Sequence, residues 1–364
     1  MTEQKLFLVL VIGLCILLSC AKKQEQIISP ATKLKVAFVY VGPIGDGGWT
    51  YAHEQGRLKL QETFPDIETS YIESVKEGPD AERVITQYAE NGYKIIFTTS
   101  FGYMDPTINV ASKYPDVVFM HCSGYKRASN VGTYFGRMEQ PKYLAGLMSG
   151  KLTKTNIIGY VAPHPIPEVI RLINAFALGV KETNPKAKVH IVWINSWYDP
   201  AKEKDAANSL LDIGADIIST GADSPAPLQA AMERGKLSFG YDSDYGKKYA
   251  PTSYVTAPIW DWSPIYIDVV KRVKEGIWSS CDYYWGIESG VVKLATITDL
   301  VSEELKVFIE QKTQDIVLGK NKIFTGPIKD QNGRLILKDG VSHTDTELLS
   351  MNYFVDNIVG KIPE

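Results

Sequence analysis

Short apolar runs alternate with longer amphipathic stretches along most of the chain. From Lys35 onward, candidate strands occupy 36–41, 68–72, 94–98 and 117–121, then 157–161, 189–194, 216–219 and 237–240. Between them, helix-like patterning covers 51–64, 81–91, 142–152, 168–183 and 201–213. The strands are almost continuously apolar, as expected where helices cover both faces of a sheet. Strand, helix, strand at this spacing predicts parallel sheets with right-handed crossovers. The two series are of similar length and separate near Lys154, which predicts an α/β protein of two doubly wound parallel-sheet lobes joined by a hinge.

The pattern continues less regularly after Tyr254. A helix is expected over 263–276, an aromatic strand around Trp285, and a further helix near 302–318. Asp330-Gln331-Asn332-Gly333 reads as a hairpin turn of type I′, because Asn-Gly tolerates positive φ. The stretch 344–359 reads as a helix docked on the body. These elements divide into a first lobe of 34–154 plus about 256–290, a second lobe of 155–255 plus about 291–340, and a C-terminal helix within 341–364.

The N-terminus has a different pattern. Lys5 precedes an unbroken apolar run over 6–18, followed by Ser19 and Cys20. A charged start, a short apolar run and a small residue before the cut describe a secretory signal peptide over 1–19. The run is too short to cross a bilayer, which takes about 20 residues. Leu17-Leu18-Ser19-Cys20 resembles a bacterial lipobox, which implies that Cys20 is lipidated and becomes the mature N-terminus. Residues 22–32 are polar, aperiodic and contain Pro30, so 20–33 reads as a lipid-bearing tether. The chain is thus expected outside the cell membrane, anchored through Cys20 and facing periplasm or exterior.

Composition excludes some classes of partner. Net charge is -3 with no basic block, so there is no electrostatic footprint for nucleic acid. Beyond Cys15 and Cys20, Cys122 and Cys281 remain, either as a bridge or as buried free thiols. The five histidines are scattered, and neither a Gly-x-Ser-x-Gly elbow nor a His-Glu-x-x-His motif is present. No catalytic set, metal site or cofactor is expected.

Ligands of parallel sheets bind beyond the carboxyl ends of the strands. After 36–41 comes Gly42-Pro43-Ile44-Gly45-Asp46-Gly47-Gly48-Trp49-Thr50, which lacks the third glycine of a dinucleotide fingerprint and the lysine of a phosphate loop. Asp46 or Thr50 could instead cap the following helix. Later strand ends carry Thr99-Ser100-Phe101-Gly102-Tyr103, Asn195-Ser196-Trp197-Tyr198-Asp199, Gly221-Ala222-Asp223-Ser224 and Tyr241-Asp242. Asp199 and Ser224 read as helix caps. Trp49, Phe101, Tyr103 and Trp197 at loop tips suit stacking on a flat heteroaromatic ligand. Asp46, Asp223 and Asp242 would accept its N–H groups. His53 reads as a helix-face residue.

The chain resembles the basic membrane lipoprotein family of ABC-transporter substrate-binding proteins, of the purine nucleoside receptor type. The matching residues are Lys35-Val36-Ala37-Phe38-Val39-Tyr40, Gly45-Asp46-Gly47-Gly48-Trp49-Thr50 with Gly56, Tyr143-Leu144-Ala145-Gly146, Ile166-Pro167 with Phe176 and Gly179, and Tyr241-Asp242-Ser243-Asp244. The resemblance implies the type I periplasmic-binding-protein fold, a purine or nucleoside clamped between the lobes, and a membrane permease as partner. Where the family carries Asp-x-x-Phe-Asn, this chain has Trp49 and Thr50. Where many members carry a lysine that meets the ribose, it has Trp260-Asp261-Trp262, so Trp260 joins the candidate site. The second-lobe stacking Phe falls near Leu172, with Asn174 close by as a further candidate. Loss of the lysine and gain of aromatics point to a free purine base such as adenine over a nucleoside. A membrane sensor of the same fold is one alternative. A nucleoside hydrolase using Asp46 and Asp242 is the other.

Overall fold

A computed structural model describes residues 33–363. The expected signal peptide, Cys20 and the tether over 22–32 lie outside the described residues. Two six-stranded sheets organise the chain, and every neighbouring pair within them is parallel.

The first sheet is built from β1 (Leu34–Val39), β2 (Ile67–Ile72), β3 (Ile95–Thr98), β4 (Val118–Cys122) and β5 (Val131–Gly136). The second uses β6 (Ile157–Ala162), β7 (Lys188–Trp193), β8 (Ile217–Thr220), β9 (Leu237–Phe239) and β10 (Tyr254–Thr256). The chain then forms β11 (Pro258–Trp260), β12 (Asp282–Trp285), β13 (Val292–Leu294), β14 (Ile328–Lys329), β15 (Leu335–Leu337) and β16 (Ile358–Val359). β12 returns to the edge of the first sheet, giving the order β12-β5-β4-β3-β1-β2. β16 extends the second as β10-β9-β8-β6-β7-β16. β11 and β13 pair antiparallel.

The anticipated alternation is therefore present in both sheets. β5 was not anticipated: its Val-Gly-Thr-Tyr-Phe-Gly sequence mixes small, polar and aromatic residues, yet all six positions are buried. The Glu139–Leu152 helix precedes the boundary expected near Lys154 but packs Tyr143, Leu144, Leu147 and Met148 into the second core, against the Pro167–Thr183 helix. Gly146 and Gly179 allow this contact, since a Cβ on either would strike the opposing helix backbone.

The C-terminal helix expected within 341–364 is corrected by the structure. Thr344 and Glu347 form a capping box, but the helix ends after Asp345–Leu349. Met351, Phe354, Val355 and Ile358 have helical spacing, yet the chain forms no helix there, turns at Asp356-Asn357 and buries all four in the second core. The Asn174 amide explains this, donating to Tyr353 O at 2.7 Å and accepting from Val355 N at 3.0 Å. The backbone thus finds partners outside a helix. The β14–β15 hairpin forms with a longer turn than type I′. Only Gly333 takes positive φ (79°), and Asp330 Oδ1 accepts from Asn332 N and Arg334 N. Cys122 and Cys281 are free thiols.

Candidate functional site

In the first sheet the strand order reverses between β1 and β3, and in the second between β6 and β8. Loops leaving the carboxyl ends at such reversals diverge and open a crevice. A cavity lies where the two crevices face each other. Val41, Trp49, Thr99, Ser100, Phe101 and Ser123 line it from the first lobe. From the second come Tyr160, Glu168, Val169, Leu172, Trp197, Gly221, Asp223 and Tyr241.

The aromatic walls are held by their polar edges. Trp49 Nε1 donates to Thr99 O at 2.7 Å, and the ring packs edge-on against Trp260 and Trp262 at 5.7 and 5.5 Å. Behind it His53 stacks on Trp262 with centroids 4.6 Å apart. Burial holds His53 neutral, well below the ordinary histidine range. Trp197 leans on His164 at 4.8 Å.

The acidic groups divide by partner. Asp46 Oδ1 accepts from Gly48 N and Tyr51 N at 2.8 and 2.9 Å, and Oδ2 accepts from Thr50 N at 2.9 Å. It secures the start of the Trp49–Thr63 helix, and neither it nor Thr50 lines the cavity. Thr50 Oγ1 accepts from Gly42 N. Asp223 lines the cavity and makes no such cap. Burial drives its carboxyl well above the usual range, reinforced by the neighbouring charges of Asp242, Asp46 and Glu203. Asp242 is raised by burial too, opposed by the Trp260 indole, which donates at 2.8 Å, and by Lys142. Glu168 is pushed up to about 7 by burial, against Arg171 and the Ser123 hydroxyl.

The structure thus gathers Trp49, Phe101, Trp197 and Asp223 around the cavity, with Asp242 and Trp260 behind its wall. Tyr103 is fully buried and donates to Val75 O; Asn174 faces the C-terminal segment. Neither lines the cavity. Sequence reasoning missed Glu168, Ser123, Tyr160 and Tyr241. Glu168 follows Pro167 at the first helical turn beyond β6, the position where strand-end reasoning would have found it. Among the described residues no cluster of three metal-ligating side chains occurs, and no helix is long and apolar enough to cross a membrane.

The lobes meet beside the cavity. Ser243 Oγ donates to Gly47 O, and a Cβ on Gly48 would collide with the Asp223 backbone. Only glycine at position 48 permits this approach of the first-lobe loop to the second lobe.

Residues 33–332 match the family model of PnrA-like ABC transporter substrate-binding proteins. The chain is 46% identical over 333 residues to a purine-binding protein of Brucella abortus, covering 91% of this chain and 95% of that protein. It is 38% identical over 336 residues to a Haloferax volcanii protein provisionally named an ABC transporter glucose-binding protein, covering 92% and 83%. A solved ABC transporter solute-binding protein from Aeropyrum pernix superposes with a TM-score of 0.69 at 17% identity, covering 88% of this chain and 98% of that one. One from Conexibacter woesei gives 0.67 at 22%, covering 79% and 98%. These structures share the type I periplasmic-binding-protein fold. The chain belongs to the PnrA-like family: it is an extracytoplasmic substrate-binding component of an ABC transporter, and not an enzyme.

Proposed function

We propose that this member of the PnrA-like family captures a purine, as a free base such as adenine in preference to a nucleoside. The observation that carries the reading is the cavity itself. Indole and phenyl rings of Trp49, Phe101 and Trp197 enter it from both lobes, and the carboxyls of Glu168 and Asp223 face the same space. A flat heterocycle with N–H groups on its rim offers faces to the rings and donors to the acids. The name of the Brucella relative supports the purine class.

The preference for a base rests on Trp260 and Trp262. They stand where the family resemblance implies a ribose-binding lysine. Their rings stack 4.4 Å apart, and Trp262 is fully buried. Side chains occupy volume that a sugar would need. Ligand contacts from both lobes would favour the closed arrangement, so capture works by hinge closure through differential affinity. The closed protein then delivers its ligand to the permease. Lipidation of Cys20 would hold this clamp at the membrane. Intact-mass measurement of the mature N-terminus should find Cys20 acylated, and a Cys20→Ala chain should be released from membranes.

Calorimetry on the ligand-stripped protein tests the ligand. Adenine should bind more tightly than inosine or guanosine. Tight nucleoside binding with none for adenine would refute the free-base preference. Binding of glucose alone would replace the purine class with the sugar named for the Haloferax relative.

A further inference from the structure

Tyr160 lies in β6 and is fully buried, and its hydroxyl has no hydrogen-bond partner. A buried O–H left in that state costs free energy that a partner would remove. Other buried side chains among the described residues carry an unpartnered polar atom too, but of these only Tyr160 lines the ligand cavity. The phenol is held in place. Its ring meets Phe176 edge-on at 5.6 Å, and Lys142 Nζ, which donates to Thr220 O at 2.7 Å, stands 5.1 Å from the ring centroid. The hydroxyl ends beside Gly221, another residue of the cavity wall, where a Cβ would stand 3.1 Å from it. A ring packed on these sides keeps its oxygen at the wall before any ligand arrives, which lowers the cost of binding.

Several donors in the same wall are already committed within the fold. Trp49 Nε1 donates to Thr99 O, Thr99 Oγ1 to Val39 O at 3.0 Å, and Ser100 Oγ to Glu77 Oε1 at 2.5 Å. The Glu168 and Asp223 carboxyls offer acceptors for the N–H groups of a ligand. A purine rim also carries ring nitrogens that only accept, and each one buried on closure needs a donor.

We propose that the Tyr160 hydroxyl determines specificity: it donates to a ring nitrogen of the captured purine, so that the ligand supplies the partner the fold leaves out. This rests on the purine reading of the cavity given above. A flat base with a C–H at that edge is then rejected even though its stacking is intact, because the buried hydroxyl stays unpaired in the complex.

The test is calorimetry of wild type and Tyr160→Phe with adenine and with its 1-, 3- and 7-deaza analogues, each of which replaces one ring nitrogen by C–H. Thermal melts of both ligand-free proteins accompany it. Tyr160→Phe should weaken adenine binding about tenfold. One deaza analogue should bind wild type about tenfold more weakly than adenine yet bind Tyr160→Phe as well as adenine does, since both changes remove the same hydrogen bond. The ligand-free variant should melt no lower than wild type, because no hydrogen bond of the fold is lost. An adenine loss below about threefold, or analogue losses that all simply add to that of Tyr160→Phe, overturns the proposal. So does a variant that melts lower or fails to fold, since the fold then uses the hydroxyl. If wild type binds glucose and no adenine, the purine reading fails. A glucose affinity about tenfold weaker in Tyr160→Phe then still upholds the hydroxyl as the ligand's donor, and an unchanged one overturns it.

Discussion

Asp46 follows β1 and Asp223 follows β8, each a strand at the order reversal of its sheet, and the two carboxyls have opposite uses. Asp46 sits just before a helix start, and its two oxygens take three backbone N–H groups. Asp223 sits two residues beyond Gly221, ahead of a helix whose N-cap position is Pro225. The Ser224 hydroxyl accepts from Ala226 N there, so the Asp223 carboxyl remains free to face the cavity. Distance from the nearest set of unpaired helix N–H groups decides whether an acidic loop residue builds the fold or the site. Both lobes contribute aromatic rings to the cavity, and its acids, Glu168 and Asp223, come from the second.

Breaking the cap should have the largest effect. Asp46→Ala leaves three backbone N–H groups at the helix start without their partner, and should lower stability by about 3 kcal/mol. Thermal melts would show the loss, while the folded fraction keeps most of its ligand affinity. Asp223→Ala should do the reverse. Loss of a hydrogen bond to a neutral carboxyl is worth roughly 0.5–1.5 kcal/mol, so affinity should fall about 2- to 12-fold in calorimetry. Its melting temperature should hardly move, because the cost of burying its carboxyl is removed with it. An equal drop in stability for both variants would erase the distinction.

Trp197→Ala sharpens the comparison at the aromatic wall. Stacking on a base is worth about 1–3 kcal/mol, and the lower end is expected because Trp49 and Phe101 remain. Affinity for adenine should drop without a change in pH dependence. Glu168→Gln is visible in stability against pH. The native carboxyl is raised from 4.5 to about 7, so the folded state holds a proton that the unfolded state has released. Stability from this group is therefore greatest below about pH 4.5 and declines as pH rises to about 7. The Gln variant should show a shallower decline and melt higher than wild type at pH 8.

Trp49, Phe101, Trp197 and Asp223 were legible because strand-end loops of parallel sheets face the ligand side by construction. Glu168 was passed over as a helix-start residue, and Tyr160 because it lies inside β6, where apolar patterning hides its hydroxyl. Asn174 misled for the opposite reason: its position beside a family stacking residue said nothing of the C-terminal backbone it binds. That same contact holds residues 351–358, which have a helix-spaced pattern, in non-helical chain.

Alternation of apolar and amphipathic segments by itself determined two parallel-sheet lobes, since few arrangements bury such strands on both faces. The loops placed to meet a ligand followed from the same rule of strand direction, and the absence of catalytic motifs was plain in the sequence. Only the tertiary structure decided which acids are consumed as caps, which line the cavity, and that Lys142 is buried against Thr220 and Tyr241. Those outcomes depend on burial and on partners far apart in the chain, such as Lys142 with Thr220 and Asp242 with Trp260. Hydrogen-bond satisfaction is settled in space, and local patterning carries no record of it.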